Sequence, residues 1–348
     1  MSEPIKSYSI ASVEGIMRNA GLSVFRAEQI LTWIYAKAAR SYNDMTNIPK
    51  VIREQFALAF PLHTPEITTK QTSVDGSRKY LLKYYDDTLV ETVGLPSNDG
   101  RFTVCASSQS GCSMGCEFCA TGKNGLTRSL MPGEIVDQVL AVQKDFGERV
   151  TNVVVMGQGE PFANYDATLA ALRIMNHPKL LNIGARHITV STCGIVKGIE
   201  RFTEEPEQFT LAVSLHAARQ EVRDKLMPGV KNQRLGTLRQ ALERYSNATG
   251  RRFSFEYALM DGINDSKEDL ESLITYCRRM LCHVNLIPLN EVEGSPFKPV
   301  SPQLMGIWRD QLEAAGIPAS TRRSRGSDIA GACGQLASAP LRVWQKMG

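Results

Sequence analysis

The chain has 348 residues, 43% hydrophobic and 22% charged, with a formal net charge of +4. These values fit a globular protein with room for one large α/β barrel or two domains, and no apolar run nears the roughly 18 residues of a spanning helix. No signal-peptide core follows Met1, so a cytoplasmic chain away from membranes is expected, with a monomer as the default, and in that reducing compartment eight cysteines speak for metal or redox chemistry over a disulfide framework.

Residues 1 to about 60 read as small helices. Ser23 is placed to cap a helix in which Ala27, Ile30, Leu31 and Ile34 recur at helical spacing. A second helix is expected from near Pro49, with Val51, Ile52 and Phe56 on one side. Arg18, Arg26, Lys37, Arg40, Lys50 and Arg53 are scattered over this stretch, either as a solvated face or as an RNA-docking surface. The period then changes. Residues 79–85, the pair Asp86-Asp87 and residues 88–93 predict strand, turn and strand. The polar loop 96–100 is taken as a domain boundary, giving an accessory N-terminal domain over residues 1–95 and a main domain over residues 96–348.

Beyond it the chain alternates. Strands are predicted at 102–106, 152–156, 187–191, 210–215, 253–259 and 283–289, and helices at 132–145, 166–176, 235–246, 267–280 and 302–315. Six such βα units imply an α/β fold, a parallel sheet forming a partial (β/α)6 barrel. Polar landmarks fall where those strands end: a cysteine loop, then Gly157-Gln-Gly-Glu-Pro161, Ser191-Thr-Cys-Gly194, Ser214-Leu-His216 and Asn290. Barrel enzymes work at that face.

The cysteine loop carries Cys112, Cys116 and Cys119 as C-x3-C-x2-C, punctuated by Gly111, Gly115 and Gly122. Structural zinc takes four ligands, and none of the five histidines is near in sequence. Three thiolates on a four-iron cluster leave one iron open for a ligand that is not protein. A zinc loop and plain buried thiols stay open beside that reading.

With Phe118 before its last cysteine, the loop resembles the radical-SAM superfamily, whose open iron is chelated by S-adenosylmethionine (SAM). Val90-Glu-Thr-Val93, Cys105-Ala-Ser-Ser-Gln109, Phe118-Cys-Ala-Thr-Gly122, Gly159-Glu-Pro161, Ser214-Leu-His-Ala217, Asn285-Leu-Ile-Pro288 and Gly326 to Leu336 around Cys333 together resemble the RlmN family, the 23S rRNA and tRNA adenine-C2 methyltransferases. The likeness covers nearly the whole chain, and the Ala-Cys-Gly-Gln-Leu around Cys333 is its most specific part. The sister Cfr family, which methylates carbon 8, shares most of these motifs; Pro161 favours the RlmN side. Gln158 and Ala330-Gly331 depart from the usual Met and Asp-Ala.

The resemblance implies a [4Fe–4S] cluster on Cys112, Cys116 and Cys119, with two SAM molecules used per turnover. It places Gly159 and Glu160 at the SAM amino group and Ser191, Ser214, His216 and Asn290 around the rest. Cys333 would accept a methyl group from the first SAM. A radical made from the second would activate that methyl for addition to adenine, Glu91 would take the carbon-2 proton, and Cys105 would release the product by forming a disulfide with Cys333. The implied partners are 23S rRNA, tRNA and an electron donor such as flavodoxin or ferredoxin.

Other readings stand beside these. Cys193, Cys277 and Cys282 read as small buried apolar residues. Glu91 in an alternating strand is ordinarily a solvent-facing carboxylate, and His216 ordinarily a satisfied core histidine. Arg322, Arg323 and Arg325 are either a solvated strand end or partners for RNA phosphates. From another class, the chain could be a metal-bearing RNA-binding protein without catalysis.

Overall fold

Short runs of Val, Ile and Phe become strands and the stretches between them become helices in a computed structural model, which describes residues 3–337; 338–348, the end of the expected main domain, lie outside the described residues. The strands are β1 (Glu66–Thr72), β2 (Arg78–Lys83), β3 (Leu89–Pro96), β4 (Phe102–Cys105), β5 (Gln109–Gly111), β6 (Leu126–Ser129), β7 (Asn152–Val155), β8 (Ile188–Thr192), β9 (Thr210–Ser214), β10 (Phe253–Leu259), β11 (Cys282–Pro288) and β12 (Ala319–Thr321). Ten of them form one sheet in the order β1-β2-β3-β4-β7-β8-β9-β10-β11-β12, while β5 and β6 pair as a small separate ribbon.

From β4 to β12 every pairing is parallel, so all these strands end on one face. The six predicted strands match β4 and β7 to β11 within a residue or so at each end. The seventh, β12, has only three residues and follows Pro318, so it offers no apolar run to read. Helices cover the sheet as expected, with two more at Val196–Glu204 and Gln220–Leu226. The charge of these two short segments hides their apolar positions: Ile199 and Phe202 are buried in the first and Leu226 in the second.

The loop at 96–100 is a hairpin turn, closed by Ser97 N donating to Arg101 O at 2.9 Å. β3 then pairs antiparallel with β4, so the sheet runs through this point without a break. β1, polar and largely exposed, forms the outer edge and carries no alternation to signal it.

The N-terminal helices pack onto this sheet assembly. Ser23 caps Val24–Leu31, accepting from Phe25 N, and Ala27, Ile30, Leu31 and Ile34 are all buried as their spacing predicts. Lys50–Ala59 differs from expectation. Phe56 is buried but Val51 is 64% exposed, because five residues along a helix turn a side chain about 140° away.

The chain start is fastened by one buried ion pair. Lys6 Nζ meets Asp137 Oδ1 at 2.5 Å, both side chains almost fully buried. Gly133 makes the approach possible, since a Cβ there would collide with the Lys6 Cβ. Burial raises the Asp137 carboxyl above its usual range, and Lys6 opposes that rise. Removing one member of such a pair strands the other. Lys6→Met should therefore lose about 3–5 kcal/mol in urea unfolding. The loss should shrink at low pH, where Asp137 takes up a proton instead.

Candidate active site

Two adjoining cavities open among the C-terminal strand ends. The first, of about 170 Å³, is lined by all three loop cysteines. Their loop is folded tightly on itself. Gly111 has φ +74°, and a Cβ there would collide with Gly125 O; a Cβ on Gly122 would meet Cys116 N at 2.8 Å. Glycine is thus required at both turns. Cys112 N donates to Gly125 O at 2.8 Å, closing the loop onto β6.

Burial raises the thiols of Cys112 and Cys116. Cys112 is pushed up to about 11, and Cys116 further still, each raised again by the facing thiols. Such a set holds negative charge only when a cation compensates it, which is what a metal centre does. Among the described residues no three His, Cys, Asp or Glu groups converge closely enough for a single ion. A four-iron cluster takes its thiolates spread around a cube, and three cysteines facing one cavity fit that larger body.

The turn after β7 forms the next wall. Gly159 (φ +93°) lies so close to Gln109 that a Cβ would sit 2.5 Å from Gln109 Cβ. Glu160 accepts from Phe162 N at 2.9 Å and from Cys193 N at 2.7 Å, so its carboxylate ties the β7 turn to the β8 turn. Burial nevertheless raises its pKa, and among the described residues no Lys or Arg forms an ion pair with it. It is the one carboxylate of this wall suited to an incoming ammonium. Ser191, near the end of β8, and Ser214, ending β9, bring their hydroxyls within 3.5 Å of each other.

His216 has a left-handed backbone, φ +54°. Its Nδ1 accepts from Ala258 N at 3.0 Å, so the neutral ring carries its proton on Nε2, and Phe118 meets it edge-on at 4.7 Å. Burial, helped by the Arg223 charge, lowers its pKa to about 3. Asn290 closes the wall, its Nδ2 donating to Cys333 O at 3.1 Å.

The second cavity, about 110 Å³, is lined by Cys105, Arg322, Arg323 and Arg325, and Cys333 lines both. Cys105 ends β4, opposite Val93 and beside Val154. Burial pushes its thiol up to about 12; Cys333 adds to the rise and Arg322 opposes it. Cys333 is exposed to the cavities, yet the protein around it raises its thiol as well, again with Arg322 opposing.

Glu91 is not solvent-facing: it is 1% exposed. It pairs with Lys79 at 3.3 Å and accepts from Ala337 N at 2.5 Å, and it lines neither cavity. The unusual Gln158 lies beside it, its Oε1 accepting from Glu91 N at 3.1 Å, so this residue braces the β7 turn against β3. Cys193, Cys277 and Cys282 are buried, as expected of small apolar residues, although Cys193 also reaches the first cavity.

Of the three arginines, two are already engaged. Arg322 pairs with the buried Glu256 at 3.2 Å and Arg325 approaches Asp75 at 3.8 Å, while Arg323 is exposed at the rim of the second cavity. Glu256 and Arg223 go unnoticed in the sequence because a charged residue in a strand or helix looks like a solvated one. Arg223 is fully buried, its Nη2 donating to Cys193 O at 2.6 Å and its charge beside Cys116 and His216.

The His216 environment has a measurable sign. Its folded pKa lies below the unfolded value of about 6.5, so its contribution is complete above that pH and is lost as pH falls toward 3. Wild type should lose about 1.4 kcal/mol per pH unit on this account below about pH 6.5, and His216→Gln should lack that slope in urea titrations.

Comparisons agree with this geometry. Residues 107–275 match the Radical SAM superfamily profile, and residues 8–60 match the ribosomal RNA large subunit methyltransferase N-terminal domain. A Clostridium novyi protein named "probable dual-specificity RNA methyltransferase RlmN" is 42% identical over 95% of this chain and 97% of its own length. A Geobacillus kaustophilus protein of the same name is 47% identical over 91% of this chain and 87% of its own. The crystal structure of a radical SAM methyltransferase from Sphaerobacter thermophilus superposes with a TM-score of 0.90 at 43% identity, covering 97% of this chain and all of that one. The cysteine loop, the strand-end polar residues and the N-terminal segment thus lie in one recognised framework, and the chain belongs to the RlmN family of radical SAM RNA methyltransferases.

Proposed function

We propose that this chain methylates carbon 2 of an adenosine in 23S rRNA and in tRNA, with Cys333 as methyl carrier and Cys105 as the thiol that frees the product. The observation that carries this reading is the place of Cys333 on the wall between the two cavities, with Cys112 and Cys116 on one side, Cys105 on the other, and Cys119 lining both as Cys333 does. Carbon 2 is an electron-poor aromatic CH and does not attack the electrophilic methyl of SAM, so polar transfer alone fails. The cluster and SAM, when bound, supply a carbon radical able to take hydrogen from a methyl group.

The protein's own groups do the rest. Cys112, Cys116 and Cys119 hold the cluster. Glu160 faces the SAM ammonium, Gly159 lets the backbone come close, and Ser191, Ser214, Asn290 and the His216 Nε2–H offer the remaining polar contacts. A methyl donor and a radical source together make two SAM molecules per turnover. Glu91 serves as the base once its hydrogen bond to the Ala337 amide opens. A flavodoxin or ferredoxin is the expected electron donor. The target adenosine leaves its stack to enter the second cavity, with Arg323 against a flanking phosphate. Residues 1–95 contribute to docking through the exposed Arg18, Lys37, Arg40 and Lys50.

The deciding experiment is mass spectrometry of RNA treated with reconstituted enzyme, resolving 2- from 8-methyladenosine. The 2-isomer is expected; the 8-isomer, or no methylation by a cluster-loaded protein, would overturn the proposal. Cys105→Ala should stall with RNA covalently attached, seen as a slow band that nuclease collapses, whereas Cys333→Ala should give neither band nor product. For docking, replacing Lys37, Arg40 and Lys50 with Gln should weaken RNA binding and flatten its salt dependence, by about 0.7 to 0.9 in log–log slope for each phosphate no longer neutralised. Unchanged affinity and slope would remove this segment from the RNA interface.

A further inference from the structure

One charged group touches both cavities without a role in the mechanism above. Arg322 lines each of them, together with Cys333, and lines the second with Cys105. It follows directly on β12, where its amide donates to Leu286 O at 2.8 Å and fixes the backbone against β11. Its Nη1 reaches Glu256 Oε2 at 3.2 Å and the Met156 sulfur at 3.9 Å.

Glu256 is in turn held by its neighbours. Asn285 Nδ2 and Ser254 Oγ donate to its Oε1 at 2.8 and 3.0 Å, and Ser320 Oγ donates to Asn285 Oδ1 at 2.8 Å. A chain of side chains from β10, β11 and β12 therefore sets where the guanidinium sits. A flexible phosphate-seeking arginine on a surface needs no such support.

We propose that Arg322, held by Glu256, is a positioning residue for the thiol pair: it keeps a positive charge at the wall that Cys105 and Cys333 share and stabilises the Cys105 thiolate for the releasing step. The proposal rests on the carrier and release roles given above. In that step the Cys105 thiolate attacks the sulfur of Cys333. A sulfur–sulfur bond forms as the bond from that sulfur to the adenine-bound carbon breaks. The electron pair passes to that carbon, stabilised by the electron-poor ring, and a proton from water completes the methyl group. The sulfurs are oxidised by two electrons and the carbon reduced by two. The nucleophile is the thiolate, so a buried thiol needs help to supply it.

The charged and titratable groups facing Cys105 are few. β3 presents Val93 and Leu95, and β7 presents Val154. The cysteine loop brings Cys119, the tail brings Cys333, and the stretch after β12 brings Arg322, Arg323 and Arg325. Arg325 is turned to Asp75, with Nη2 donating to Asp75 O at 3.3 Å. Arg322 is the cation that opposes the rise of both thiols.

The test uses cluster-loaded protein, anaerobic, without SAM or RNA. Cys105 is alkylated with iodoacetamide from about pH 7 to about pH 10 and read by peptide mass spectrometry. Arg322→Gln should slow Cys105 several-fold at each pH, about tenfold for each unit by which its pKa rises, and Arg322→Lys should recover some of the rate. Since Arg322→Gln leaves the Glu256 carboxylate without its guanidinium, the Glu256→Gln/Arg322→Gln double variant repeats the measurement with neither charge present. It should also be slow. Wild-type alkylation in both folded variants would overturn the proposal, as would weaker RNA binding as their sole defect. With SAM and RNA, Arg322→Gln should accumulate the RNA-linked form; prompt product release would overturn the proposal as well. If Cys105→Ala itself trapped no adduct, the release role of Cys105 would fall, while the alkylation comparison would still decide whether Arg322 sustains the thiolate.

Discussion

The proposed chemistry depends on one backbone path. The segment from Gly326 to Ala337 crosses the C-terminal ends of the parallel strands, and its carbonyls are claimed along the way. Cys333 O accepts from Asn290, Gly334 O from Ala120 N at 2.7 Å, and Leu336 O from Thr121 Oγ1 at 2.5 Å. At the other end, Gly326 N donates to Asp75 Oδ2 at 3.0 Å and Asp328 accepts from Ser73 Oγ at 2.6 Å. The partners come from the β1–β2 turn, the cysteine loop and the β11 end, so the tail thiol is positioned by three separate regions of the fold. Ala330 enters this path at φ +49°, a left-handed value that suits Asp or Gly better than Ala. Lys79 Nζ donates to the Ala330 carbonyl there at 3.2 Å.

Much of this is legible in the sequence, for physical reasons. Strands β4 and β7 to β11 are short apolar runs with polar residues at their ends, and parallel sheets covered on both faces produce that pattern. The three-cysteine spacing is equally plain, because a loop wrapped around a cluster needs its ligands close in sequence. What stays hidden has no local signature. β1 is an exposed polar edge and β12 is three residues long. Glu256, Arg223 and Glu91 are charged residues whose burial arises only when distant segments meet. Glu91 shows this best: its environment includes Lys79 on the neighbouring strand and the amide of Ala337, 246 residues away.

The electrostatics of the site follow a single logic. Burial disfavours the thiolates of Cys105, Cys112, Cys116 and Cys333 and the carboxylate of Glu160, and the protein places fixed donors around the cavities. Glu160 takes two backbone amides, Glu256 an amide, a hydroxyl and a guanidinium, and the thiols the charges of Arg223 and Arg322. His216 is kept neutral by the same burial, so it contributes a donor without adding charge. The result is a cavity whose polarity is built from groups already oriented by their hydrogen bonds.

The ion pair that fastens the chain start has a temporal meaning. Lys6 precedes Asp137 by 131 residues, so this contact forms only after the helix carrying that carboxylate has been made. The tail is later still. The contacts that carry Cys333 across the strand ends form only after the chain has been made through Ala337, long after the cysteine loop has emerged. During that interval the three loop cysteines stand without the segment that later crosses beside them, so the wall that Cys333 adds to both cavities is built late.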